Sequence, residues 1–147
     1  MKAVVFPTLK HLREYMDGML DEHYAELCTD KRMVLNPDWD RYNALDDQGL
    51  LIMTGVFDGA LCVGYEMCFM QPHIHYKDTV VAWSDVLLVR KAYRDTSAGG
   101  RLMLATAAAC KARGAHKLLR HAKPGTALDR MMASRKPPFE HVYAQEL

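Results

Sequence analysis

The sequence predicts an α+β fold, and three observations carry that expectation. Apolar residues recur at helical spacing near the N-terminus. From about residue 50 they switch to the two-residue period of strands. The third of those strands then runs through a glycine-bearing loop into a helix rich in Ala and Leu. The 147 residues suit one domain spanning 1–147, and 50% apolar against 25% charged residues is enough to bury a core, which excludes a disordered chain.

Leu9, Leu12, Met16, Met19, Leu20, Tyr24 and Leu27 stand three or four residues apart, predicting one amphipathic helix after Pro7-Thr8 with Thr8 as its cap. A second, short helix is expected from Pro37 to about Asp47, with Asn36 capping it and Gly49 stopping it. Leu50–Phe57 and Leu61–Met70 read as strands joined by Asp58-Gly59, a two-residue turn that favours positive φ. A polar link over 71–78 leads to a third strand, Thr79–Val89. Arg90–Ala98 is a loop and Gly99–Arg113 a helix ended by Gly114. Lys117–Ala122 reads as a strand, Thr126–Ser134 as a short helix, and Phe139 to about Gln145, after Pro137-Pro138, as a last strand.

The balanced charge hides an asymmetry. Residues 1–66 carry 6 basic and 12 acidic side chains, whereas residues 67–147 carry 13 basic and 6 acidic ones. That balance argues against a general nucleic-acid binder, which would show an affinity falling steeply with salt. The basic half can still meet a compact anion such as a phosphorylated cofactor. Cys28, Cys62, Cys68 and Cys110 include no CxxC pair and sit among apolar neighbours, so reduced core thiols are expected rather than disulfides or zinc. The apolar runs are far shorter than a membrane span and no signal-peptide core follows the N-terminus; the expectation is a cytoplasmic protein with no membrane contact.

The stretch from Asp85 to Met103 carries the functional argument. A strand enters a turn of small residues, Ser97-Ala98-Gly99-Gly100, that opens a helix whose first N–H groups lack intrahelical partners. With the positive end of the helix dipole, this is an anion seat, and Arg94 and Arg101 can add charge-assisted bonds. A Rossmann site would need this loop after the first strand and an acidic residue about 20 positions on. Here the loop follows the third strand and the later region is basic.

Arg94-Asp95-Thr96-Ser97-Ala98-Gly99 resembles the Q/R-x-x-G-x-G/A signature of the GNAT superfamily of N-acetyltransferases, with Ser97 standing where the first glycine is typical. Tyr93-Arg94 matches the aromatic-Arg pair before it, and the element order is similar along the whole chain. The stretch from Tyr65 to Met103, with its His73-Ile-His75-Tyr-Lys-Asp segment, is also similar to small acetyltransferases carried by bacteriophages. The resemblance implies a GNAT fold: a mixed, mostly antiparallel twisted sheet of about six to seven strands flanked by four helices, with a splayed central strand pair. It implies acetyl-CoA as co-substrate, the pantetheine arm paired with Leu87, Leu88 and Val89, and the pyrophosphate held by Arg94, Asp95, Thr96, Ser97, Ala98, Gly99, Gly100 and Arg101. It leaves room for a homodimer through the last strands.

The expected reaction is transfer of the acetyl group to a primary amine, of a small molecule or a protein, by direct attack in a ternary complex. A free amine with pKa near ~10.4 must lose a proton first, so a base is needed. Asp85 is the first candidate, because a carboxylate in a strand reading Val-Ala-Trp-Ser-Asp-Val-Leu-Leu-Val is costly to bury unpaired. Glu66 is the second, and His73 and His75 could relay protons; no metal site is expected. The family's usual Tyr before the last strand is missing, since Met132 to Phe139 contains none, which leaves Tyr143, Ser134 or unassisted departure of the thiolate. The alternative is a non-catalytic protein on the same fold that binds acyl-CoA or a host protein.

Overall fold

Gly18 divides what the spacing predicts as one N-terminal helix into two, α1 (Leu9–Met16) and α2 (Leu20–Leu27). Glycine costs about 1 kcal/mol relative to Ala in a helix interior. Here the break also lets Arg90 Nη2 donate to the Gly18 carbonyl at 3.4 Å. The computed structural model describes every residue except 17, 29, 31, 144, 146 and 147. The third helix, α3 (Trp39–Asp47), is capped by Asp38, which accepts from the Arg41 N–H at 3.0 Å, rather than by the expected Asn36. Pro37 therefore precedes the cap. Gly49, at φ 68°, ends the segment as expected.

Five strands form one sheet in the order β1-β2-β3-β4-β5: β1 (Lys2–Val5), β2 (Leu51–Asp58), β3 (Leu61–His73), β4 (Tyr76–Val89) and β5 (Ala115–Leu119). The first three pairings are antiparallel and β4–β5 is parallel. The four residues of β1 are too few to show a period, which is why the sequence conceals them. The polar stretch 71–78, expected as a link, extends the β3–β4 hairpin instead, with Gln71 opposite Val81 and a register shift at Pro72 and His73. Pro72 lacks the N–H for a regular ladder and is tolerated at such an irregularity.

Helix α4 (Ala98–Ala112) covers one face of the sheet, packing Ala98 and Leu102 on Val56, Val63 and Val89. Leu9, Leu12, Met16 and Met19 pack on the other face against Leu51, Met53, Tyr65, Met67 and Leu88. Each such side chain, fully buried, contributes about 1.5–3 kcal/mol. A Cβ on Gly64 would sit 2.6 Å from the Leu88 carbonyl oxygen, so β3 and β4 approach closely here only because residue 64 is glycine.

The fold is mixed α+β, as expected, with two differences in count. Among the described residues there are five strands rather than six to seven, and five α-helices rather than four, the last being α5 (Ala127–Ala133). The expected strand from Phe139 to Gln145 is not formed by its described residues, and position 144 lies outside them. Pro137 and Pro138 remove two ladder donors just before it. Phe139 instead lies with the Lys117 ammonium 4.0 Å from its ring centroid. All four cysteines are free thiols, three of them buried. No helix of the described residues is long and apolar enough to cross a membrane.

Candidate active site

The parallel ladder between β4 and β5 ends at Trp83–Leu119. From Ser84 to Val89, β4 pairs with β3 alone, leaving its other edge open. That open edge leads through a 3₁₀ turn (Lys91–Tyr93) into α4. At the start of α4, the Thr96 hydroxyl accepts from the Ala98 N–H (3.2 Å) and the Ser97 carbonyl accepts from the Arg101 N–H (3.0 Å). The N–H groups of Gly99 and Gly100 have no partner among the described residues, and the Ser97 side chain does not cap them. Nothing lies within 4 Å of where a Gly100 Cβ would be. Two free donors at the positive end of a 15-residue helix, with open space before them, are what a phosphate group requires.

Arg94 has a different position from the one its charge suggests. Its Nε donates to the Val89 carbonyl (2.8 Å) and its Nη2 to Glu26 of α2 (2.5 Å). It thus ties the end of β4 and the loop to α2. Arg101, whose Nε donates to the Ser97 hydroxyl (3.2 Å), is exposed beside the helix N-terminus. Asp95 and Thr96 are exposed in the loop; Leu87 is half-buried, Leu88 and Val89 buried.

Asp85 sits in a β-bulge. Ser84 is opposite Cys68 and Val86 opposite Met67, so Asp85 is the extra residue with no counterpart on β3. The bulge takes Asp85 off the face that strict alternation would share with Leu87 and Val89. Those two belong to the α4 side, while Asp85 turns to the α1–α3 side and accepts a hydrogen bond from the Tyr42 hydroxyl at 2.8 Å. Near it the buried His23 Nδ1 lies 2.9 Å from the Tyr65 hydroxyl. Burial pushes the His23 pKa below the ordinary histidine value, with the charges of Asp85 and Glu26 pulling the other way. Burial, then the Asp85 charge, pushes both phenols well above the ordinary tyrosine value. Near neutral pH Tyr42 and Tyr65 are therefore protonated donors and His23 is uncharged.

Glu66 lies on the opposite face, fully buried. Arg120, just beyond β5, grips both its oxygens (2.7 and 3.2 Å), and the Ser84 hydroxyl donates to one of them (3.0 Å). Arg120 also donates to the Met103 carbonyl of α4 (3.0 Å). This pair joins β3, β4, α4 and the segment after β5 beneath the parted strands. His73 and His75 lie at the tip of the β3–β4 hairpin, where the His75 N–H donates to His73 Nδ1 (3.2 Å). Tyr76 lies nine residue steps along β4 from Asp85, roughly 30 Å at about 3.3 Å per residue. Tyr143 is exposed, and the Ser134 hydroxyl donates to the Met131 carbonyl (2.8 Å).

The structure thus brings Asp85 and the residues from Leu87 to Arg101 to one end of the sheet, sends Glu66 to the other face, and leaves the two histidines at the far end. Sequence reasoning missed Tyr42, Tyr65, His23, Glu26 and Arg120. The one signal for Arg120 was the buried carboxylate itself, which demands a cation.

A parted strand pair, a helix N-terminus beside it and the Asp85 carboxylate at the fork stand together at one end of the sheet. Residues 12–133 match the Acetyltransferase (GNAT) family, and the chain belongs to that family. No curated protein sequence matches the chain significantly. Solved structures share the fold. One is an aminoglycoside acetyltransferase from an uncultured soil metagenomic sample in complex with trehalose, with a TM-score of 0.74 and 16% identity over 99% of this chain and 94% of that chain. A ribosomal-protein-alanine N-acetyltransferase from Brucella melitensis biovar Abortus 2308 gives 0.69 and 14% over 100% and 99%. AAC(6')-Iy in complex with a bisubstrate analog, CoA-S-monomethyl-acetylneamine, gives 0.69 and 10% over 100% of both chains.

Proposed function

We propose that the protein is an N-acetyltransferase that moves the acetyl group of acetyl-CoA to a primary amine by direct attack, without a covalent enzyme intermediate. The observation that carries this reading is continuity: the open edge of β4 over Ser84–Val89 runs into a loop whose helix offers the free Gly99 and Gly100 N–H groups, with Asp85 on the same edge. An extended chain bearing amides fits an open strand edge as an added strand does. A diphosphate fits the α4 N-terminus, with Arg101 beside it. Acetyl-CoA supplies the activated carbonyl.

The remaining work belongs to the chain. Backbone groups of Leu87–Val89 hold and orient the thioester arm, and a β4 N–H facing its carbonyl stabilises the oxyanion formed on attack. Asp85 takes the proton the ammonium must lose, and Tyr42, bonded to one carboxylate oxygen, fixes its orientation. Glu66, its oxygens held by Arg120 and Ser84, braces the fork rather than exchanging protons. Arg94 positions the loop. With Ser134 committed to Met131 and Tyr143 exposed in the tail, the thiolate leaves unassisted. Free thiols and the lack of a spanning helix among the described residues support a cytoplasmic enzyme. The likeness to phage-borne enzymes rests largely on the 73–78 segment, the tip of the β3–β4 hairpin.

Incubation with acetyl-labelled acetyl-CoA and a panel of amines, read by mass spectrometry, tests the proposal. Label moving to an amine supports it. Tight CoA binding with no transfer to any amine would instead support the non-catalytic acyl-CoA-binding or host-interaction protein.

A further inference from the structure

A cavity of about 410 Å³ opens between α2, the segment joining it to α3, and the face of β3 and β4. That volume falls within the range of about 300–1,000 Å³ typical of small-molecule sites. Its wall is unusual for a site meant to hold cations. Met16, Met33, Met67, Leu35, Trp39 and Val86 make up much of it; of its polar residues, Tyr42, Tyr65 and His23 stand at the end nearest Asp85, while the Tyr24 hydroxyl donates to the Met33 carbonyl. Tyr42 links that end directly to the Asp85 carboxylate. His23 is uncharged there and does not repel an ammonium.

We infer that the amine acceptor is a monocation carrying one aromatic body, such as an arylalkylamine: the body fills this cavity and the amino group reaches Asp85 at its polar end. This inference rests on the acetyl-transfer reading and names the substrate class for the same site. Three features select that class. Thioether side chains pack favourably on aromatic rings and adapt to their shape. The Asp85 carboxylate beyond Tyr42 matches a single ammonium. A polycation such as an aminoglycoside, placed in the same cavity, would leave its other ammonium groups against Met, Leu and Trp without partners, at a steep desolvation cost.

A larger neighbouring space of about 720 Å³ shares Tyr42 with this cavity but is a poorer seat for the amine. Arg41 lines it, and the acid beside it, Asp38, is occupied in capping α3.

The test measures release of the CoA thiol from acetyl-CoA with phenethylamine, tryptamine, n-propylamine and sisomicin as acceptors. The expected result is a kcat/KM for phenethylamine or tryptamine at least about tenfold above both n-propylamine and sisomicin, expressed through KM. Leu35→Glu puts a charge into the cavity wall at a partly exposed position, and should collapse that ratio toward unity. Met33→Glu, at a more exposed wall position, serves the same purpose if the first variant does not fold. Transfer that favours sisomicin or n-propylamine, or a preference that neither charged variant moves, overturns the inference while leaving the acetyltransferase standing. Absence of transfer to every amine, with acetyl-CoA still bound, overturns the acetyltransferase and this inference with it.

Discussion

The Tyr42 hydroxyl donates to Asp85 Oδ2 at 2.8 Å, joining α3 to the bulge in β4 across 43 residues of chain. The phenol leaves the second carboxylate oxygen free to face an amine. Asp85→Asn keeps the shape and a hydrogen-bond partner for Tyr42 but removes the base. It should lower kcat by about 10²–10⁴, while acetyl-CoA affinity by calorimetry changes less than about twofold. Tyr42→Phe removes only the orienting bond and should cost about tenfold or less, near 1.4 kcal/mol of barrier. Full activity in Asp85→Asn would remove Asp85 from the proton path.

Stability and cofactor binding separate at the start of α4. Gly100 has space in front of it and two neighbouring free donors, so Gly100→Asp adds a carboxylate where a helix N-terminus favours one, by about 0.3–1 kcal/mol. The melting temperature should hold or rise. Acetyl-CoA affinity should fall at least about tenfold, because the new charge occupies the anion seat. An unchanged affinity would show that the phosphates bind elsewhere.

Glu66 and Arg120 form a buried ion pair beneath the fork, with side chains 0% and 9% exposed. Removing one partner strands the other charge, and Arg120→Met alone should destabilise the protein by about 3–5 kcal/mol in denaturant unfolding. The double change Glu66→Leu with Arg120→Met should recover much of that loss. If the pair only braces the fork, the recovered double variant also retains most of its turnover. Loss of turnover in a well-folded double variant would return Glu66 to the list of candidate bases.

The strands over 51–57, 61–70 and 79–89 and helix α4 were legible because period, the Asp58-Gly59 turn and the helix-opening small residues agree locally with the tertiary outcome, whereas the polar hairpin extension over 71–78 carries no such period. The turn of small residues that opens α4 was legible for the same reason: it lies within about ten consecutive residues. The surroundings of Asp85 were not. Tyr42, Tyr65 and His23 meet Asp85 only after folding, and the bulge that turns Asp85 toward them leaves no mark in a run that alternates smoothly through Trp83, Asp85, Leu87 and Val89. The expected last strand, not formed by its described residues, shows the reverse error. Phe139, Val142 and Tyr143 supply β propensity, yet they lie exposed after two prolines, and propensity without a face to bury carries little weight.

His23 makes the stability of the fold around Asp85 depend on pH. Its pKa is lowered in the folded protein, mainly by burial; Tyr65 faces its ring, and Asp85 and Glu26 act on it from β4 and its own helix α2. The unfolded chain then binds a proton at His23 near its ordinary pKa, ~6.5, while the folded protein does not. Stability is therefore full above that value and falls as pH drops below it, by at most about 1.4 kcal/mol per pH unit from this one group. The loss levels off once the folded-state pKa is passed. Urea midpoints at about pH 7.5 and about pH 5.5 should differ more in the parent protein than in His23→Gln, which has no proton to gain and can still bond the Tyr65 hydroxyl. Equal slopes in the two proteins would mean that His23 is protonated without leaving its place, and that the acid sensitivity arises elsewhere.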